Sequence, residues 1–445
     1  MAKHIASPYD HGYHSIVIEG PRFSPINIEN IVFELNLYES LSSPYLSGDI
    51  LIIDSANLSN HVNFMGQEKI TIKLFDTAEN IFFSKTFVTT SVKKHIKSND
   101  STAGVVLSFV EEHVSLSNIT RFSKTYEGKI ENIISKILNE QLGVKTHVDA
   151  STQSTIRYIA PYNASPLKTV SMLRRRATNS SGSPFFLFAS TKQPGLRLAS
   201  LETLMSQQAF NKKPFVYSVV NDTYYSDHAY SVEKFEDRSF KIRSFSMNEN
   251  ENIVELFKEA GFGAQYLWVD TNEDIATELR YRSPDKIKAL PQLNGSINYD
   301  ETFAIGGKQY HEGVSNYVSQ ITTKNLFDNI NSLNEETTIN NHMRKAEERS
   351  LRIMLSKLNI DVQLPGYQFV ENEVIGKIIE IEIPKDIPVL DEKVTSEDVI
   401  DKKLSGNYLV FAARHLFVDD QYSVILNLTK VDNKRSLDNE QAGVV

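Results

Sequence analysis

Two stretches of this chain spell the same long β-hairpin. The first runs Lys85-Thr-Phe-Val-Thr-Thr-Ser-Val-Lys-Lys-His95, a polar turn, and Ala103-Gly-Val-Val-Leu-Ser-Phe-Val-Glu-Glu112. The second runs Asn407-Tyr-Leu-Val-Phe-Ala-Ala-Arg-His415, a turn at Val418-Asp-Asp-Gln421, and Tyr422-Ser-Val-Ile-Leu-Asn-Leu-Thr-Lys-Val431. Each first strand ends on a basic residue followed by histidine. Each second strand alternates apolar with small or polar residues, the period of a sheet with one buried face. A chain that ends two sheets in the same way is expected to hold two related β-barrels. A shorter match, Leu46-Ser-Gly-Asp-Ile-Leu-Ile52 against Leu404-Ser-Gly-Asn-Tyr-Leu-Val410, competes with this alignment and cannot hold together with it. The hairpin match is preferred because it pairs two strands, a turn and the chain's exit from each sheet.

The text around the hairpins divides the chain. Residues 13–113 read as successive strands, among them Ile31–Tyr38, Asp49–Ile53 and Lys69–Phe75, with Pro44 and Gly48 punctuating a turn. From residue 117 the period becomes helical. Ile130, Ile133, Ile134, Ile137, Leu138 and Leu142 fall on one face, with Gly143 placed to stop the helix. A second helix starts at Ser165-Pro166, and Phe185–Phe188 reads as a buried strand with a partner at Leu196–Leu198. Strand signals return at Phe215–Ser218 and Tyr230–Ile242, and again from Asn359 onward. A polar stretch with a helix-like run from Glu335 to Lys357 lies between them. The expected division is 1–116 for a first barrel and 117–205 for an α/β module. A second, split barrel takes 206–250 and 350–432 around an inserted module at 251–349, and 433–445 is a loose tail.

Composition removes several classes of function. No run of about 18 apolar residues exists to span a membrane, and the first residues lack the apolar core of a signal peptide. With no cysteine the fold uses neither disulfides nor a thiolate metal site, which suits synthesis in a reducing cytoplasm. The net charge of −9 runs against a phosphate-gripping surface. Arg174-Arg175-Arg176 is too short for a groove and reads as a solvated helix face or a protein contact. No zinc-binding helix motif, phosphate-cradling loop or nucleophile elbow is present, so neither cofactor nor metal is expected. Gly261-Phe-Gly263 and Gly306-Gly307 read as turns. His95 and His415 each stand alone at a strand end and read as structural histidines. Glu111-Glu112, Glu347-Glu348 and Asp419-Asp420 read as solvated surface, since neighbours in sequence do not face each other across a cleft.

An ordered set of short motifs carries a resemblance. It comprises Leu37-Tyr-Glu-Ser40 with Pro44-Tyr-Leu-Ser-Gly-Asp-Ile50, and Thr125-Tyr-Glu-Gly128 leading to the helix that ends at Leu142-Gly143. It continues with Pro161-Tyr-Asn-Ala-Ser-Pro-Leu167, Ser183-Pro-Phe-Phe-Leu-Phe188 and Gly195-Leu-Arg-Leu198, and closes with Leu404–Val410 and Arg414-His415. With these motifs in order from about residue 15 to 432, the chain resembles the baseplate hub proteins of contractile-tailed bacteriophages, the family of the T-even central hub. Residues 250–345 match least.

The resemblance implies an α+β, mainly β fold with two related antiparallel β-barrel tube domains and inserted α/β modules. It implies no enzyme, but a homotrimer in the baseplate of the virion tail, assembled in the host cytoplasm. The trimer would be bound by the tail tube protein above, a trimeric spike protein below and other baseplate wedge proteins. DNA would pass through the lumen without specific binding. Tyr45, Ser47, Gly48, Asp49, Tyr408 and Arg414 are the implied inter-barrel contacts. Three alternatives stand beside it. A tail-associated wall-degrading enzyme would clear a zymogram. A carbohydrate-binding tail-tip protein would expose clustered aromatics, for which Trp268, in what reads as a buried strand, is poor support. A spike–hub fusion of secretion machines would continue into a Gly-containing β-helical repeat, which is not expected here.

Overall fold

Period-two alternation builds the N-terminal sheet. Its strands are β1 (His14–Gly20), β2 (Phe23–Asn27), β3 (Val32–Ser40), β4 (Ser47–Asp54), β5 (Lys69–Phe75), β6 (Ile81–Lys97) and β7 (Ala103–Glu111). The computed structural model describes residues 14–54, 68–76, 80–97, 103–152, 155–160, 162–217, 238–249, 358–385, 404–418 and 421–433. It also describes shorter strands between 263 and 322 and a few single positions. In β5, Ile70, Ile72 and Leu74 are enclosed while Thr71 and Lys73 lie on the other face. Each such buried aliphatic contributes about 1.5–3 kcal/mol relative to exposure.

Next come α1 (Glu112–Ile119), β8 (Thr125–Lys129), α2 (Ile130–Leu142), β9 (Thr146–Val148), β10 (Thr155–Ile159) and α3 (Pro166–Arg174). The segment ends with β11 (Phe185–Ala189), β12 (Leu196–Ser200) and α4 (Leu201–Met205). The apolar face expected of α2 is buried, and Gly143 ends that helix at φ 67°. Helix α1 was not expected, because a strand was read through Glu112 and the helical period only from residue 117. Its inward residues are polar: His113 bonds the Pro44 carbonyl at 2.9 Å, and Ser117 Oγ accepts the Leu167 N–H at 3.0 Å, capping α3.

Two surface expectations are corrected. Glu111 is buried, because its carboxylate accepts the Leu46 N–H at 2.6 Å and pairs with Lys85; only Glu112 faces out. Of the arginine triplet only Arg175 is exposed. Arg174 donates to the Phe185 carbonyl at 3.2 Å, and Arg176 is half-buried, its pKa lowered to about 10 by burial.

The remaining strands are β13 (Phe215–Tyr217), β14 (Lys241–Ile242), β15 (Ser244–Glu249), β16 (Gly263–Asp270), β17 (Ile275–Arg282), β18 (Ala304–Ile305), β19 (Lys308–Gln309) and β20 (Tyr317–Thr322). They are followed by β21 (Leu358–Pro365), β22 (Ile378–Glu382), β23 (Gly406–Val418) and β24 (Gln421–Asn433). Trp268 lies on β16, as its segment suggested. The helix-like run from Glu335 to Lys357 apart from the buried helical positions Leu351 and Leu355, the pairs Glu347-Glu348 and Asp419-Asp420, Gly306-Gly307, residues 218–237 and the tail from 434 lie outside the described residues.

One 14-stranded sheet unites the two ends of the chain, and a five-strand order occurs in it twice. The first is β3-β4-β7-β6-β5 and the second β15-β21-β24-β23-β22, antiparallel throughout. In both, the strands take the same places in chain order. This decides between the competing alignments. Leu46–Ile52 lies on the second strand of its set and Leu404–Val410 leads into the fourth of the other, whereas the two hairpins coincide. The sets diverge at their margins, where β1 is antiparallel to β5 but β13 is parallel to β22. The stretch 250–357 enters the second set where residues 41–46 simply turn in the first. The fold is α+β and mainly β.

Candidate interface at the shared strand

Strand β23 joins the two five-strand sets. Its first residues, Gly406–Leu409, pair with β22; from Ala412 to Val418 it pairs with β3 instead, opposite Ser40 to Glu34. Between these stretches Phe411 is the extra residue of a bulge against β24. A bulge bends and twists its strand, and here it carries β23 out of one ladder and into the other. Thr90 is the extra residue at the same place in the first hairpin, because Val105-Val-Leu-Ser-Phe109 and Val424-Ile-Leu-Asn-Leu428 take equivalent partners.

The joint is held by a polar row and a buried cluster. Along the row, Arg414 donates to Asn36 Oδ1 at 2.7 Å and Glu34 Oε1 at 3.0 Å, Tyr38 O–H reaches Asp49 at 3.3 Å, and Asp49 accepts from Ser108 at 2.6 Å. Burial, reinforced by Asp49, raises the Tyr38 phenol pKa, so the hydroxyl remains a donor. The other five-strand set has a twin of the last bond: Asp361, at the place of Asp49, accepts from Asn427, at the place of Ser108, at 2.7 Å.

In the cluster, His415 Nε2 lies 2.7 Å from Glu39 Oε1 and its Nδ1 lies 2.8 Å from the Tyr422 hydroxyl. A carboxylate can only accept, so the ring donates from Nε2; in the neutral imidazole Nδ1 accepts from Tyr422. Burial, then Glu39, push the Tyr422 phenol well above its ordinary pKa and keep that proton in place. Thr191 of the β11–β12 turn also donates to Glu39 Oε1, at 2.6 Å. Three separate parts of the chain therefore meet at one carboxylate. His415 is a satisfied structural histidine, as expected, but it is not alone: it stands opposite Leu37 of β3. His95 holds the twin position on β6, opposite Val105.

The implied contact residues divide between joint and core. Arg414 and Asp49 sit in the polar row. Ser47 stands on β4 opposite Tyr38 and Val110. Gly48 is buried where a Cβ would collide with the Asn36 carbonyl and the Phe109 ring, which explains the glycine by packing. Tyr45 is half-buried in the turn, its carbonyl accepting from Ser43 at 3.0 Å. Tyr408 is enclosed in the core, donating to the Leu404 carbonyl, away from the β23–β3 ladder. Glu39, Thr191 and Lys192 were missed by sequence reasoning. Their partners lie far along the chain, and only the Arg414-His415 pair signalled the place.

Lys192, beside Thr191, donates to the Phe82 carbonyl at 3.4 Å and to the Val370 carbonyl. Burial lowers its pKa to about 8, against the opposing pull of Glu39 and Glu371. The unfolded chain therefore binds more protons between about pH 8 and the ordinary lysine value, and stability rises with pH across that window. The gap in unfolding midpoint between wild type and Lys192→Met should move in favour of wild type from about pH 7 to about pH 10. Chemical denaturation across a pH series checks this, and a gap independent of pH would contradict it.

No family model and no curated protein matches the chain. Solved structures do. The tail protein from Neisseria meningitidis MC58 is similar with a TM-score of 0.53 at 9% identity, covering 94% of this chain and 96% of that one. The chain folds as that tail protein does. The 43 kDa tail protein of prophage MuSo2 from Shewanella oneidensis is also similar, with a TM-score of 0.49 at 9% identity, over 94% of this chain and 100% of that one. A type VI secretion component from E. coli, described as structurally similar to T4 bacteriophage tail proteins, has a TM-score of 0.41 at 11% identity, over 93% and 76%. The fold is thus that of a tail protein, the kind of protein to which the hub resemblance pointed.

Proposed function

We propose that this chain is a structural hub of a contractile phage tail, acting as a homotrimer rather than as an enzyme. The observation that carries the reading is the five-strand order built twice in one polypeptide. A tube has sixfold and a spike threefold symmetry, and one simple ring cannot make equal contacts with both. Three chains with two like sheets each offer six near-equivalent units to a tail tube protein above. They offer three equivalent chains to a trimeric spike protein and wedge proteins around and below. The lumen would pass DNA without binding it, in keeping with a net charge of −9. The tail-protein fold over nearly the whole chain supports the same reading.

The proposed division keeps 1–116 and the split 206–250 with 350–432 as the two tube units. It sets 117–205 and 251–349 aside as inserted modules and 433–445 as the tail. Asp49 and Arg414 serve the joint within the chain, and Tyr45, Ser47, Gly48 and Tyr408 support the strands beside it.

Electron microscopy of the purified full-length protein is the test. Rings of three chains with six lobes and an open centre are expected, with no clearing on a zymogram. A monomer at all concentrations, or clearing of cell wall, would overturn the proposal.

A further inference from the structure

The joint inside the chain uses one edge from each five-strand set: the outer edge of β23 beyond its bulge, and the outer edge of β3. Each edge has a twin. The twin of the first is β6 beyond Thr90, residues Ser91–Lys97. The twin of the second is β15, Ser244–Glu249. Among the described residues, β6 beyond Thr90 pairs only with β7, and β15 only with β21.

We infer that these two edges pair between neighbouring copies, β6 of one chain antiparallel to β15 of the next, so that the joint within a chain recurs between chains. This rests on the trimer proposed above and adds to it the strands and register of its interface.

The register follows from the twins. Matched through their second strands, the ladders place Lys94 where Arg414 stands and His95 where His415 stands, each histidine opposite a valine, with Lys93 a further bulge residue that β23 lacks. On the other edge, setting Asp361 at the place of Asp49 puts Ser246 at Asn36, Met247 at Leu37, Asn248 at Tyr38 and Glu249 at Glu39. Both members of the buried His415–Glu39 pair are thereby duplicated, as His95 and as Glu249 of the neighbouring copy. The phenol is not, because the place of Tyr422 is taken by Ala103.

Burial agrees with the assignment. Leu37, covered by β23, is 1% exposed, whereas its twin Met247 is 39% exposed; Val92, the twin of buried Ala413, is 42% exposed. Open strand edges that carry apolar residues are what a second chain covers by adding a strand.

The chain has no cysteine, so an introduced pair supplies its only thiols. Lys94→Cys with Asn248→Cys places them at the twins of the directly opposed Arg414 and Tyr38. Oxidation of the full-length double variant should yield chains linked in twos and threes on a non-reducing gel. An assembled trimer whose thiols stay unlinked would overturn the strand assignment and leave the trimer standing. A wild type that never associates would remove both.

A second variant guards against local misfolding. His95→Glu should raise the concentration for half-assembly by about tenfold or more, the scale of setting two carboxylates against each other at an interface. Combining it with Glu249→His should restore assembly. An unchanged single variant, or a swap that fails to rescue, would overturn the pair.

Discussion

Glu39→Ala should destabilise the folded chain by about 3–5 kcal/mol, because it removes the acceptor of two buried hydrogen bonds, each worth about 1.5–3 kcal/mol when one partner is a carboxylate. Glu39 is 1% exposed, and its Oε1 accepts from both His415 and Thr191. Alanine leaves both donors without an acceptor and removes the charge that favours protonated Lys192. Glu39→Gln should lose much less, because an amide oxygen can take both bonds and no hydrogen bond is seen at the other carboxylate oxygen. Urea unfolding at neutral pH checks the order, wild type above glutamine above alanine. A loss below about 1 kcal/mol for alanine would mean that the strand ladder alone holds the joint.

Tyr422→Ala should cost about as much, roughly 3–5 kcal/mol, but for a different reason. The ring is fully enclosed: Phe417 stacks on it at 4.4 Å and 5°, and Phe82 lies at 6.4 Å on the other sheet's long hairpin. Gly366 presses against it so closely that a Cβ there would overlap the ring. Truncation opens a cavity where these segments meet. Tyr422→Phe keeps the ring and loses only the bond to His415, so it should cost about 0.5–1.5 kcal/mol. Equal losses for the two variants in thermal melts would shift the weight from the ring to the hydroxyl.

Period and punctuation made a large part of the fold legible. Strand β5 and helix α2 fall where alternation and the Ile/Leu stripe placed them, and Gly143 stops the helix in the left-handed conformation that favours glycine. The repeated hairpin was legible because both copies keep most of the same ladder partners and share the bulge at Thr90 and Phe411, although each has one further irregularity of its own. What failed to show was whatever depends on partners distant in sequence. Helix α1 faces inward with His113 and Ser117, so its period carries no apolar signal. Glu111 reads as surface until Leu46 and Lys85 are brought to it. The same holds for the joint: the basic-residue-then-histidine motif was visible, but Glu39 and Lys192 were ordinary charged residues until the fold placed them beside Tyr422 and Val370.

Because β23 completes the ladder of β3, the N-terminal unit cannot mature when its own residues have been made. On the ribosome, Glu34–Ser40 emerges early and waits for Ala412–Val418, which is made far later in the chain. At ordinary translation speed that delay is roughly tens of seconds. For that interval a bare row of amides and carbonyls stands ready to capture any stray strand. A segment far along the chain therefore acts as a molecular latch on an early one, and premature termination before Ala412 would release an adhesive product rather than a shortened but sound one.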